Sequence, residues 1–261
     1  NSLALILGLF VGSYFTFRPH PFVEDLSAKM KQAVDFFLQK LLLPILPLFI
    51  FGFLLKLKID GTLQIIVASY LPILSLLAAT FLSVLSLIYI SIARLNIRTC
   101  LTYLRNALPA GLVGFSTMSS IAAMPVNLVS VAKNTKNSPI AEATIPAVVN
   151  IHLIGDSLGI PILALAVLMT FNQPLPDISS YLWFSVYFML NKFSSASIPC
   201  GTIMIMIPVL EKYLGFSPEM SGLIMALYML VDPLITATSV LGNHAFAILM
   251  SKIFRKKLSE Q

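Results

Sequence analysis

Of the 261 residues, 57% are hydrophobic and 11% charged, against roughly 45–50% and about 25% in an ordinary soluble domain, so a soluble globular fold is excluded and an integral membrane protein is expected. The net charge of +6 arises without basic runs interleaved with aromatics. That excludes a nucleic-acid partner and points to cytoplasmic loops against anionic membrane lipids. Cys100, in a basic loop, and Cys200, in an apolar stretch, offer neither a disulfide framework nor a metal cluster and are read as not constraining function. No nucleophile–base pair, metal spacing or phosphate loop points to an enzyme.

The chain opens at Asn1 and runs straight into an apolar stretch with no initiator Met and no charged leader, as expected of a chain missing its start. The span Leu3–Phe17 is short for a bilayer that needs about 20 apolar residues. A polar connection with Arg18, Lys29 and Lys31 follows and is placed inside the cell. The next span, about Val34 to Leu57, contains Pro44 and Pro47, which are expected to kink it. After the turn at Ile59-Asp60-Gly61, thirty-three uncharged residues reach to Ala93, about 50 Å of helix at ~1.5 Å per residue.

The stretch 107–132 carries no charge, yet Arg94, Arg98 and Arg105 precede it and Lys133 and Lys136 follow it. If basic loops stay cytoplasmic, both of its ends lie on one side, so it reads as a re-entrant hairpin. Its centre, Ser116-Thr117-Met118-Ser119-Ser120, suits a loop whose backbone lines a cavity. The segment 140–172 is interrupted by Asn150 to Ser157, which predicts two half-helices with an unwound middle. Pro174, Pro176 and Asp177 form an outside loop without Lys or Arg. The segment 180–212 repeats the hairpin pattern with a polar centre from Asn191 to Ser197, and its weakly basic flanks predict entry from the opposite face. A last span, 218–253, holds Asp232-Pro233 and Ser239 to His244 before the basic tail Lys252, Arg255, Lys256 and Lys257. Two units of hairpin and interrupted helix, inserted from opposite faces, are the pattern of inverted-repeat secondary transporters with a midplane site. Isolated polar islands do not make the continuous lining of a channel.

At these islands, Thr117-Met118-Ser119-Ser120, Met124-Pro125-Val126, Val131-Ala132-Lys133, Thr144-Ile145-Pro146 through Gly155, Ser197-Ile198-Pro199, and Asp232, Thr236, Gly242 and Ala247 to Lys252 follow one another in a specific order. In that order and spacing the chain resembles the dicarboxylate/amino acid:cation symporter family, the glutamate-transporter-like sodium:dicarboxylate symporters. The resemblance implies an all-α integral membrane fold with two re-entrant helical hairpins and interrupted helices. It implies that 1–60 is a partial scaffold, the end of a fourth helix and a fifth, and that 61–261 is a transport domain. That domain would hold a sixth helix, hairpins at 107–132 and 180–212, a seventh helix at 140–172 and an eighth at 218–253. A homotrimer in the cell (inner) membrane, elevator-like motion and Na⁺ or H⁺ as coupling ion, with no other cofactor, are implied as well.

The departures bear on mechanism. Met118 stands where archaeal members often carry arginine. Ile154 replaces the carboxylate of the family's seventh-helix sodium motif. In the eighth helix Ile235 replaces the arginine that pairs an acidic substrate, Ser239 the substrate-contacting asparagine, and Asn243 a second sodium carboxylate; Asp232, which in the family holds the substrate's amino group, is retained. A neutral amino acid or other small zwitterion is therefore favoured over glutamate. The implied substrate-binding residues are Ser119, Ser120, Ile198, Pro199, Asp232, Thr236 and Ser239; the ion-coupling candidates are Asp156, His152, Lys192 and Asn243.

Each of these polar groups also has a plainer role. Ionisable side chains at membrane depth cost about 2.5–3.5 kcal/mol or more, so Asp156, Lys192 and Asp232 should face the interior with partners. Lys192, aligned with a hairpin position lining a family sodium site, is expected to act as a tethered cation against Asp156 or Asp232, or else to snorkel to the interface. Asp232 contacts substrate or caps a break at Asp-Pro; Asp156 accepts a coupling proton or caps the second half-helix. His152 and His244 titrate near neutral pH but equally suit packed hydrogen-bonding roles, and the serines and Thr236 suit helix-to-helix bonds. The expected function is cation-coupled symport of a small amino acid or dicarboxylate with altered coupling. The alternative is a transport-inactive membrane binding or scaffold protein of the same descent.

Overall fold

The computed structural model describes residues 62–258 apart from 137 and 194–198, with scattered single positions before residue 62; the side chains of 61–69 and 255–258 are outside the description. The expected first two spans, with Pro44 and Pro47, therefore lie outside the described residues. The chain divides into two units, Asn1–Tyr70 and Leu71–Gln261, and the second holds every candidate site residue.

The described residues beyond 61 form eight helices, and no strand occurs among them. They are α1 (Thr62–Ile92), α2 (Ile97–Thr117), α3 (Ser120–Thr135), α4 (Pro139–Val148), α5 (Ile154–Thr170), α6 (Ile178–Lys192), α7 (Gly201–Leu214) and α8 (Pro218–Leu258). By length and composition, Tyr70–Ile92 and Pro218–Phe254 are apolar enough to cross a membrane, and Ile154–Thr170 is a shorter apolar helix. Helix α1 turns Leu71, Leu76, Leu82 and Leu87 outward, an apolar face suited to lipid rather than water.

Local chemistry sets the boundaries. The Asn96 side chain accepts from the Thr99 amide and caps α2. Helix α2 ends where Met118 turns left-handed (φ 50°). Ser119 then adopts an extended conformation, and its hydroxyl accepts the Ala122 amide to start α3. The helix–turn–helix expected within 107–132 thus turns at Met118-Ser119. Pro139 opens α4 as a first-turn residue. Asp177 caps α6, and the Ser180 side chain, with nearby amides, holds its carboxyl below the ordinary carboxylate range.

Two expectations shift. The interruption predicted over Asn150 to Ser157 lies at 149–153, so Asp156 and Ser157 sit in the first turn of α5; Leu153 is the N-cap and makes no side-chain cap. The last helix is continuous through Asp232-Pro233 and through Ser239 to His244. Asp232 is therefore no cap: a proline inside a membrane helix is tolerated where neighbouring groups satisfy the backbone.

Helix α8 is the spine, packed against α2, α3, α4, α5 and α7, while α6 packs chiefly on α7. Close approach depends on small residues, because lipid offers no hydrophobic gain for helix association. On α2, Ala107, Ala110, Gly111 and Gly114 form one buried stripe at helical spacing; Leu241 and Val240 of α8 fill the space that Cβ atoms would take at Gly111 and Gly114. At Gly155 of α5 a Cβ would lie 2.0 Å from the Ile235 carbonyl oxygen, so α5 meets the α8 backbone directly.

Candidate functional site

Asp232, Thr236, Ser239 and Asn243 recur at intervals of four, three and four along α8, so they share one face, and all four are buried. Asp232 Oδ1 accepts the Thr236 hydroxyl at 3.0 Å. Its Oδ2 accepts the Cys200 amide at 2.9 Å, with the Cys200 Sγ at 3.8 Å. Cys200 is left-handed (φ 56°) and leads into α7, so the start of α7 is fastened to α8 by this carboxylate. Pro199, next in the chain, is buried, whereas Ile198 and the serines before it lie outside the described residues.

The start of α5 runs along the same face. The Ser239 hydroxyl accepts the Gly155 amide at 3.0 Å. His152 Nδ1 lies 2.9 Å from Asn243 Oδ1, and its ring packs on Phe246 at 4.9 Å. Asp156 Oδ1 accepts the Tyr228 hydroxyl at 2.5 Å, with Thr202 of α7 also hydrogen-bonding this carboxylate. Two ion-coupling candidates, His152 and Asn243, are therefore brought together, and Asp156 is joined to α8 and α7.

Lys192 is buried at the end of α6. Its ammonium donates to the Leu153 carbonyl at 2.7 Å and to the Ser157 hydroxyl, and lies 5.6 Å from the centroid of the Phe188 ring. Snorkelling is thereby overturned. Of the two expected carboxylate partners, Asp156 acts on Lys192 electrostatically without closing to an ion pair, and the described hydrogen bonds of the ammonium go to neutral oxygens. The carbonyl that takes the charge belongs to Leu153, the N-cap of α5 at the edge of the break.

Ser119 and Ser120 are buried at the α2–α3 turn. Gly114, in the last turn of α2, has the Thr236 methyl 3.6 Å from where its Cβ would lie, which sets that turn near the Asp232 face. The Ser119 hydroxyl receives the Ala122 amide within the turn. Ile235 points elsewhere: its side chain fills the space beside Gly159.

Several participants escape a reading of the sequence. Cys200, read as without bearing on function, contributes its backbone amide, and a backbone contact leaves no trace in residue type. Tyr228 had a usable signal, because it lies four residues before Asp232 on the same helix and a buried phenol needs a partner. Among the described residues no cluster of three or more His, Cys, Asp or Glu could hold a metal ion.

A model of the sodium:dicarboxylate symporter family matches residues 3–253. The serine/threonine transporter SstT of Acinetobacter baumannii strain SDF is 26% identical over 213 residues, covering 78% of this chain and 51% of that protein. The SstT of A. baumannii strain ATCC 17978 matches with the same identity and coverage. The chain spans about half the length of these curated relatives.

Proposed function

The chain belongs to the sodium:dicarboxylate symporter family, a family of membrane transporters and not of enzymes, and from that premise we propose that it is the solute-binding part of a cation-coupled secondary transporter for a small zwitterion. Serine and threonine, the solutes in the name of the relatives, are the first to test. The observation that carries this is Asp232: a carboxylate buried deep among helices, held by a hydroxyl and an amide and by no cation among the described residues. An uncompensated buried carboxylate is costly, and a solute ammonium group would compensate it. Thr236 and Ser239 supply hydroxyls along the same face, the α2–α3 turn with Ser119 and Ser120 lies near it through Gly114, and Cys200, next after Pro199, binds Asp232 directly. Among the described residues, the Asp232–Thr236–Ser239 face carries no cationic side chain for a second carboxylate on the solute, which favours a neutral side chain.

In this proposal residues 107–132 and 180–212 are re-entrant hairpins entering from opposite faces, and 61–261 moves as an elevator against a trimeric scaffold that includes 1–60. Na⁺ or H⁺ provides the driving force, with Asp156, His152 and Asn243 as the groups that respond to it. The test is uptake of radiolabelled L-serine, L-threonine and L-glutamate by the full-length protein in liposomes, under an imposed Na⁺ or pH gradient. Serine or threonine uptake that falls at least tenfold in Asp232→Asn is expected. Absence of uptake of any solute under either gradient would favour the transport-inactive alternative.

A further inference from the structure

We propose that Lys192 supplies a built-in cation: its ammonium occupies, between the end of α6 and the first turn of α5, a position where a monovalent cation from solution would otherwise sit. The inference deepens the transporter reading by naming a cation that the protein does not have to bind.

The oxygens around Nζ are those of a small cation site. The Leu153 carbonyl also receives the Ser157 amide at 3.0 Å and the Ser157 hydroxyl at 2.8 Å, so its electron density is shared among three donors. The Ser157 oxygen in turn faces the ammonium. The Leu153 carbonyl belongs to the N-cap of α5, at the edge of the break, and backbone carbonyls at such interruptions are groups that coordinate Na⁺ in transporters built on broken helices. The Phe188 ring offers a face that attracts cations, and the Asp156 carboxylate acts on the ammonium electrostatically. The end of α6 is itself the negative pole of that helix.

The placement matters because, among the described residues, α6 has few other helix partners. It packs chiefly on α7, and the contact from Lys192 to Leu153 bridges 39 residues of chain. Together with Cys200 on Asp232 and Thr202 at Asp156, it fastens the α6–α7 pair across the break before α5. A free ion occupies such a position only in proportion to its concentration, whereas the tethered ammonium is always present.

The experiment needs no solute. Thermal unfolding of the full-length protein in detergent is followed in NaCl, LiCl, methylammonium chloride and choline chloride at equal ionic strength, for the wild type, Lys192→Ala and Lys192→Met. Lys192→Ala is expected to unfold earlier in choline and to regain about 2–4 °C in Na⁺ or methylammonium, beyond any shift of the wild type, because a ligand that binds only the folded state stabilises it. Lys192→Met, whose longer side chain occupies the site, is expected to regain less. The proposal is overturned if Lys192→Ala responds to these cations no more than the wild type does, or if neither variant folds in any of them. Failure of serine uptake would leave this result untouched and would count only against the transporter reading.

Discussion

Replacing Gly155 by alanine probes the contact on which the α5 side of the site depends. A Cβ there would lie 2.0 Å from the Ile235 carbonyl oxygen and 2.7 Å from its carbon, and both obstacles are backbone. Ordinary contact begins near 3.4 Å, so α5 must withdraw from α8 by about 1.4 Å. The Gly155 amide, 3.0 Å from the Ser239 hydroxyl, would then leave hydrogen-bonding range. Overpacking costs about 1–3 kcal/mol and a buried donor left without its acceptor about 1–3 kcal/mol more. At about 2–4 °C per kcal/mol, the melting temperature of the full-length protein in detergent should fall by about 4 °C or more. Gly222→Ala, in α8 with nothing within 4 Å of its Cβ, serves as the control and should be neutral or gain up to about 1 kcal/mol from helix propensity. If Gly155→Ala melts within 1 °C or so of the Gly222→Ala control, the close packing of α5 on α8 is wrong.

Cys200→Gly should preserve the fastening of α7 to Asp232, because the amide makes that bond, and should raise stability by about 0.5–1 kcal/mol by relieving a left-handed residue with a Cβ; a loss of stability in thermal unfolding would show that the thiol, not the amide, is what matters. His244 is fully buried, with Nδ1 2.8 Å from Asn127 Oδ1 and Nε2 2.7 Å from Asn134 Nδ2. The Asn127 amide also donates to Val240 and the Asn134 amide to Tyr103, so a neutral imidazole with the proton on Nδ1 satisfies every partner. His244→Leu should therefore cost about 1–3 kcal/mol by leaving the buried Asn127 amide oxygen without its donor, read as a loss of melting temperature; unchanged melting would remove His244 from the set of structural polar links.

The turn of the first helical pair could be read from the sequence because Ser119 is a strong cap and the residues before it lack charge. The break between α4 and α5 was legible to within a few residues, but its placement is decided by packing: Gly155 must already be helical to meet Ile235, so the unwound residues end at Leu153. Asp232-Pro233 looks like a helix boundary in one dimension, yet the helix runs on because surrounding helices enclose it. The partners of Lys192 were beyond reach for a different reason. A sequence shows which side chains bear charge, whereas the oxygen that receives this one is the backbone carbonyl of an N-cap residue 39 positions away in the chain. The same holds for Cys200 and Asp232. Contacts of this kind have no residue-type signature.

The central position of α8 has a consequence for biosynthesis. Ribosomes deliver α2 to α7 before it, so in the nascent chain the Gly155 amide, His152 and the Asp156 carboxylate wait without Ser239, Asn243 and Tyr228, their partners in the folded protein. A messenger cut short within the codons for Pro218 to Leu258 would thus yield helices already inserted but lacking the surface around which they assemble. Such a product would present several polar groups to lipid at once, a natural mark for membrane quality control.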